Sequence, residues 1–561
     1  MSFQTRRIGD AEKPPRSFSR LRHVGGSFTW LRYLSPWRIA GTVGFLLASP
    51  LLYVLHKRKE RQEQAEEQER RTGVLKRTLV ILLAVFLCLA VLAGVAKALV
   101  ALDVVNVRTI LNVAGADLPR DGDGFTNFLL LGKGDDDHDG IDLTDTMMAA
   151  SVDPKTKSVV LLSIPRDLYV KSAVMGEGRI NTLYRDYKAS LVRKQGMTKE
   201  EASKQALREL LREVGHKLNV TLHHAVMVNF SGFVDVVDAL GGLDVEVPYD
   251  IVDTQYPGPD WTYQTFSIGA GLAHLDGETA LKYARSRHTT SDFGRSARQQ
   301  QLIQALGERA KSVGIAKSPR KILALLRILS ENVETTMTGQ ELLGAAKLGD
   351  RIERSRMVSM QLNDVNGVYT GFVEAGGFLY TPPREEFGGA AVLLPISASA
   401  LPGSSTGLAR RSPAERDEDG WRQIRLFFSL LTHTRTLYLQ NPRIAVLNAG
   451  AKTGLAGRLA TELIRYGFTV ERAENAELPP PPDSTAKRAS LPASSVSPQI
   501  PEDPTAAAFF SALLNLPSAP LPTDLPLEQQ GQVTILLGED YTFQPFHELL
   551  REPGSPSSSV P

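Results

Sequence analysis

The chain has 561 residues, 42% of them hydrophobic and 22% charged, with a net charge of +2 at pH 7 and a single cysteine. It is long enough for two or three domains with buried cores, and a near-neutral total excludes the overall basic character of a nucleic-acid binder. The lone Cys88 excludes both a disulfide within the chain and a cysteine-based zinc site.

Residues 1–38 are polar and rich in Arg, Pro, Ser and Gly, and read as a disordered basic arm on the cytoplasmic side. The apolar run 39–55 is marginal for spanning a bilayer, and Pro50 falls in its second half. An interfacial or re-entrant segment is expected there, with a transmembrane one as the alternative. Residues 56–77 are charged and helix-forming. LVILLAVFLCLAVLAGVA then runs unbroken from Leu79 to Ala96, so 78–102 is the predicted transmembrane helix, with Lys97 placed to snorkel. No small-residue cleavage signature accompanies it, which predicts a retained anchor. Lys76 and Arg77 precede it and Asp103 follows it, so the positive-inside rule puts the remainder outside the cytoplasm.

From Phe125 onward short β-rich runs alternate with helical patterns. FTNFLLLG (125–132), MMAASVD (147–153) and SVVLLSIP (158–165) read as buried strands bounded by Gly, Asp and Pro. Residues 199–216 form an amphipathic pattern with Ala206, Leu207, Leu210, Leu211 and Val214 on one side. A helix signal SGFVDVVDALGG and a strand LDVEVPYDI follow. Helices are expected over 297–312, 319–330 and 338–347, the last opened by a capping box of Thr338 and Glu341. The alternation predicts a layered α/β domain. Residues 396–416 are a linker by composition. NPRIAVLNAG, TGLAGRLATELIRYGF, TVERAENA and VTILLGEDYTF outline a second, small α/β unit, interrupted at 478–530 by a Pro-, Ser- and Ala-rich stretch expected to be disordered, with AAAFFSALLNL as its one helix candidate.

The chemistry concentrates in LKYARSRHTTSDFGRSARQQQ, residues 281–301. Guanidinium groups cannot be neutralised and match phosphate oxygens two at a time, so Arg285, Arg287, Arg295 and Arg298 read as a cradle for a polyanion rather than a solvated basic face. Arg285 and Arg287 alternate with Ala284 and Ser286 in a strand-like register, while Asp292 and Arg295 stand ahead of Gln299 as if a loop and a helix N-terminus close over one site. In GKGDDDHDGIDLTDTMM the closing position of a calcium loop would fall on Thr146, which excludes an EF-hand and leaves Asp145 as a ligand for a hard divalent cation. His138 and His288 have no partner at ligand spacing. Arg166 and Asp167 end an apolar strand, which points to a site at the sheet edge, the alternative being a surface ion pair. Arg179 and Asn181 of GRIN are further polar contacts.

Taken in order, NFLLLG, LTDTMM, VDPKTKSVVLLSIPRDLYV, RIN, VNFSGFVDVVDALGGLDVEVPYDI and LDGETALKYARSRHTTSDFGRSARQQQ resemble the LytR-CpsA-Psr (LCP) family of bacterial cell-wall glycopolymer ligases, and the unit at 443–476 with 533–543 is similar to the LytR C-terminal domain. The resemblance implies an N-terminal anchor, an extracytoplasmic α/β/α sandwich with a central mixed sheet over 103–365, a connecting region 366–432, a small α/β domain over 433–545 and a tail 546–561. It implies a phosphotransferase that moves a phosphoglycan from an undecaprenyl-pyrophosphate carrier, its lipid in a hydrophobic tunnel, to a peptidoglycan hydroxyl. The implied roles are Arg166, Arg285, Arg287 and Arg295 on the pyrophosphate, Gln299 in contact with it, Asp292 orienting Arg295 or the acceptor, and Asp145 with Asp135 on Mg2+, or Mn2+ in its place. Where many members carry arginine two residues before the Asp-Thr pair, this chain has Leu143, and Lys133 is the candidate replacement. Two other readings use the same residues: hydrolysis of a polyprenyl-pyrophosphate-linked substrate, and non-catalytic sensing or scaffolding of such precursors.

Overall fold

A computed structural model of the chain describes residues 116–135, 141–258, 262–286, 292–313, 328, 332–368, 371–397, 413–480, 489–499 and 504–551. The basic arm, the segments 39–55 and 56–77, the predicted transmembrane helix 78–102 and residues 552–561 of the tail lie outside the described residues, as do Arg287, His138, His288, most of the helix expected at 319–330 and most of the linker 396–416. The first part of the expected tail 546–561 is not a tail: Phe546–Leu549 is helical and Phe546 is fully buried. Of Asp292 only the helical backbone is described. Among the described residues no helix is long and apolar enough to cross a membrane.

The apolar runs become β1 (Thr126–Lys133), β2 (Thr144–Asp153) and β3 (Ser158–Ser163). A hairpin of β4 (Tyr169–Ser172) and β5 (Gly176–Arg179) leads into α1 (Ile180–Gln195) and α2 (Lys199–Leu218). Thr198 and Glu201 close a capping box on α2, which buries Ala206, Leu207, Leu210, Leu211 and Val214 as one stripe. Next come β6 (His224–Val228), α3 (Phe230–Ala239), β7 (Leu243–Val247), β8 (Ile251–Pro257), β9 (Tyr263–Ile268), β10 (Gly271–Leu275), α4 (Gly277–Arg285) and α5 (Asp292–Ser312). They are followed by β11 (Val333–Thr335), α6 (Gly339–Gly349) with its Thr338–Glu341 box, and β12 (Met357–Gln361).

The main sheet has the order β11-β6-β1-β2-β3-β12. β1 is parallel to β6 and β3 to β12, while β2 is antiparallel to both its neighbours, so the sheet is mixed. Successive side chains leave on opposite faces. Leu129, Ala149, Val160 and Leu162 pack with Leu207 and Leu210 of α2, whereas Phe128, Ala150, Val159 and Leu161 pack with Ile303 of α5 and Leu342 of α6. Helices thus cover both faces, the expected α/β/α sandwich. The C-terminal ends of β1, β3, β6 and β12 and the N-terminal end of β2 share one edge.

The rest of the chain comprises β13 (Leu379–Tyr380), β14 (Leu394–Pro395), α7 (Pro413–His433), α8 (Arg435–Gln440), β15 (Ile444–Asn448), α9 (Leu455–Arg465), β16 (Val470–Asn475), β17 (Ser495–Pro498), α10 (Thr505–Leu514), β18 (Val533–Leu537) and α11 (Phe546–Leu549). A second sheet runs β16-β15-β18-β17. Its core is continuous with that of the first: Phe378 and Phe427 pack on Tyr466, and Tyr466 on Phe546. The disorder expected over 478–530 does not hold for its described part. β17 pairs antiparallel with β18, and Val496 and Phe510 are fully buried, Phe510 edge-on to Phe468 at 5.0 Å.

Candidate functional site

The site begins with a local irregularity. Gly132 pairs with Thr146 and Lys133 with Thr144, so Asp145 is an extra residue on β2 with no partner across the ladder. Such a bulge re-aims a side chain at a strand end. The Asp145 carboxylate, 39% exposed, accepts from Asn181 Nδ2 at 2.9 Å and pairs with Arg166 Nη1 at 3.4 Å. Arg166 arrives just past β3, after Pro165, and Asn181 sits in the first turn of α1, whose backbone N–H donates to the Arg166 carbonyl at 3.3 Å. Asp167 closes the chain of charges: one oxygen lies 3.4 Å from Arg166 Nε and the other accepts from Arg179 Nη1 at 3.2 Å. Four of the predicted site residues, Asn181, Asp145, Arg166 and Arg179, are therefore joined in one relay, with Asp167 as the link between Arg166 and Arg179.

Arg166 and Asp167 line a pocket of about 230 Å3 with Arg295, Asp364 and the apolar Val392 and Leu393. Arg295 reaches it from the first turns of α5, with only 6% of its surface exposed. The sheet-edge site read from Arg166 is thus supplied from the ends of β3 and β12 and from α5. One member went unread in the sequence: Asp364 follows β12 in MQLND as Asp167, already singled out with Arg166, follows β3 in LSIPRD. Gln300 rather than Gln299 ties α5 to this edge, donating to Ser163 Oγ at 2.8 Å and the Met360 carbonyl at 2.7 Å; Gln299 is half-buried.

The other predicted residues are held at the start of α3, the end of α4 and the first turns of α5. Arg285 is the last residue of α4 and not part of a strand-like register, because Asp276 caps that helix through the Thr279 N–H. Its guanidinium stacks 4.3 Å from the Phe230 ring and 5.6 Å from that of Tyr256. Asp135 accepts from the Ser231 N–H and Oγ at 3.2 and 3.0 Å, at the start of α3, one residue past Phe230. Arg298 is buried and donates to the carbonyls of Tyr283 (2.9 Å) and Ser286, which places it under the turn after α4 as a brace.

Lys133 does not stand in for the arginine absent at Leu143. Its ammonium is buried and held by Asp142 at 3.1 Å and Glu334 at 2.8 Å. Lys188 also holds Asp142, at 2.8 Å, and Tyr184 Oη donates to Glu334 at 2.9 Å. Burial pulls the Lys133 ammonium down, but Glu334 and Asp142 outweigh it and hold its pKa above the usual value. Burial likewise raises both carboxyls, and it is outweighed at Asp142 by Lys188 and Lys133 and at Glu334 by Lys133 with the Ser203 and Tyr184 hydroxyls, so both are depressed. The network's stabilisation is therefore complete above the ordinary carboxyl range near pH 4 and fades as pH falls through the lowered values; at the alkaline end it fades as pH rises through the raised lysine value. Lys133→Met is expected to lose about 2–3 kcal/mol at pH 7, less than a fully buried broken pair because Glu334 is 33% exposed. Urea unfolding at pH 7 and pH 3 checks this, with the difference from wild type shrinking at pH 3.

Comparison with known proteins bears on this edge and on the second sheet. The family model described as the LytR_cpsA_psr family matches residues 104–380, and that described as LytR cell envelope-related transcriptional attenuator matches 441–541. TagV of Bacillus subtilis, named a polyisoprenyl-teichoic acid–peptidoglycan teichoic acid transferase, is 34% identical over 199 residues, 35% of this chain and 45% of TagV. The chain thus spans about half the length of that relative. The cell wall biosynthesis protein LcpA of Corynebacterium glutamicum is 27% identical over 386 residues, 66% of this chain and 67% of LcpA. The crystal structure of B. subtilis TagV aligns with 55% of this chain and 97% of its own at 24% identity, with a TM-score of 0.37.

Proposed function

Because the chain belongs to the LytR-CpsA-Psr family and carries a LytR C-terminal domain behind it, we propose that it transfers a phosphoglycan from a polyprenyl-pyrophosphate carrier to a hydroxyl of peptidoglycan. The names of TagV and TagU, transferases of polyisoprenyl-linked teichoic acid to peptidoglycan, support the class of reaction. The observation that carries the reading to this chain is the Asn181–Asp145–Arg166–Asp167–Arg179 relay opening on the pocket it shares with Arg295. Two guanidiniums on one small pocket suit the non-bridging oxygens of a pyrophosphate.

In the proposed step the acceptor oxygen bonds to the phosphorus that bears the sugar. The bond from that phosphorus to the bridging oxygen breaks, its electron pair leaves on polyprenyl phosphate, and the hydroxyl proton is lost to a base. Such transfers need positioning and charge neutralisation more than covalent help. Arg166 and Arg295 supply the positive charge, and Asp167 fixes the Arg166 fork. Arg285 and Arg287 would extend the cradle along the glycan or the second phosphate, with Asp292 orienting Arg295. The predicted helix 78–102 would hold the domain at the outer membrane face, where a lipid-linked donor is within reach.

Mg2+ fits the donor set. Asp145 offers a half-exposed carboxylate, and beside it Asn181 Oδ1 is buried with no hydrogen-bond partner among the described residues. Mg2+ needs only one or two protein oxygens, its shell being filled by phosphate and water. Asp145 and Asn181 would hold it, and when bound it neutralises developing charge on the pyrophosphate. Asp145→Asn is expected to lower transfer at least ~100-fold and to raise the Mg2+ concentration for half-maximal rate. Initial rates over a Mg2+ titration test this; an unchanged metal dependence would contradict the reading.

A further inference from the structure

Beside the small pocket lies a larger groove of about 830 Å3. One side is the β4–β5 hairpin, and the other is the strap 381–397, which lies between the two regions matched by the family models. The strap is laced to the site. Leu393 N–H donates to the Asp167 carbonyl and Tyr169 N–H to the Leu393 carbonyl, both at 2.9 Å. Behind this lacing β14 pairs with β13, and Ile396 N–H donates to the Phe378 carbonyl at 2.8 Å. Pro382 and Pro383 stiffen the approach, and Gly388 and Gly389 take the positive φ that turns the strap back.

The two cavities are continuous in their lining. Val392 lines both, and Arg179, on the groove side, holds the same Asp167 whose other oxygen lies 3.4 Å from Arg166 Nε on the pocket side. Whatever lies in the groove is thereby led to the phosphate-sized pocket. Three aromatic residues line it, Tyr169, Tyr380 and Phe387, with Tyr169 and Phe387 edge to face at 4.9 Å. Flat aromatic surface interspersed with carboxylates suits a saccharide, which offers C–H faces to rings and hydroxyl donors to acids. A lipid chain would suit the rings but gain nothing from the carboxylates among them. Among the charged lining residues the acids Glu177, Glu386 and Asp417 outnumber Lys171 and Arg179 by one. A polyphosphate strand is disfavoured against that balance, and a neutral glycan is not.

We propose that this groove is the acceptor subsite, holding a neutral glycan strand so that a sugar hydroxyl reaches the pocket between Arg166 and Arg295. The proposal rests on the transferase reading above and adds to it the surface that selects the acceptor. The strap belongs to this chain's connecting region, so one wall of the acceptor groove lies outside the segment that the first family model matches, while the hairpin wall and Tyr380 lie inside it.

The test uses the full chain in detergent micelles and a β-1,4-linked N-acetylglucosamine tetramer as probe, with binding followed by calorimetry in the absence of donor. Phe387→Ala and Tyr380→Ala are expected to weaken tetramer binding at least 10-fold. Phe387→Tyr should restore it, and all three should unfold at the wild-type temperature. In transfer assays the alanine variants should raise the acceptor KM by a similar factor and leave the donor KM unchanged. No tetramer binding by wild type, equal binding by the alanine variants, or a rise in donor KM alone would each overturn the acceptor assignment. Variant-sensitive tetramer binding by a protein that transfers nothing would remove the transferase reading while leaving the groove's affinity for glycan established.

Discussion

Arg166→Ala is expected to lower kcat/KM for glycan transfer by about 10²–10³-fold, the usual cost of removing one preorganised donor from a site that stabilises developing charge. Two effects combine. One guanidinium is lost from the pocket shared with Arg295, and the carboxylates of Asp145 and Asp167 lose the cation between them. Arg166→Lys should recover little, because a single ammonium cannot reach toward both carboxylates and still present a planar fork to phosphate. Retention of the fold by circular dichroism, with donor binding measured separately, distinguishes lost chemistry from lost structure. A variant with more than a tenth of wild-type transfer would remove Arg166 from the centre of the mechanism.

Arg465→Met is expected to destabilise the protein by about 3–5 kcal/mol, the range for breaking a buried ion pair by removing one partner. Arg465 and Glu462 are 1% and 3% exposed on α9. Arg465 Nη1 bonds Glu462, Nη2 donates to the Asn366 carbonyl at 2.8 Å, and the Arg465 carbonyl accepts from Gly376 N–H at 2.9 Å. Glu462 also accepts from the Phe546 N–H at 2.9 Å. This pair therefore ties the loop after β12 to α9 and to α11. Its loss leaves Glu462 charged in an apolar setting beside the Phe378–Tyr466–Phe546 cluster. Urea unfolding measures the effect, and an unchanged midpoint would show that the two sheets are held together by apolar packing alone.

Much of the fold could be read from periodicity. The runs around Leu129, Ala149 and Val160 announced buried strands, and the Thr198 and Thr338 boxes marked helix starts. Local alternation misled at Arg285: four residues in a strand-like register carried less weight than the Asp276 cap and the helix that follows it. Composition misled over 478–530, where Pro, Ser and Ala suggested disorder although Val496 and Phe510 have a strand edge and an aromatic ring to cover. Individual site residues were legible as charges at element ends, but not their connections. That Asp167 joins Arg166 to Arg179, and that Lys133 is consumed by Glu334 some 200 positions later in the chain, depends on long-range packing that no local pattern encodes.

The most direct test of the account gives the full chain in detergent micelles a polyprenyl-pyrophosphate-linked oligosaccharide, peptidoglycan fragments and Mg2+, and reads the products by mass spectrometry. The account predicts glycan joined to the fragment through a phosphodiester, with polyprenyl phosphate released, and loss of both products in Arg166→Ala. Free phosphoglycan with no joined product would replace the transferase with a hydrolase, and bound but unchanged donor would contradict catalysis altogether.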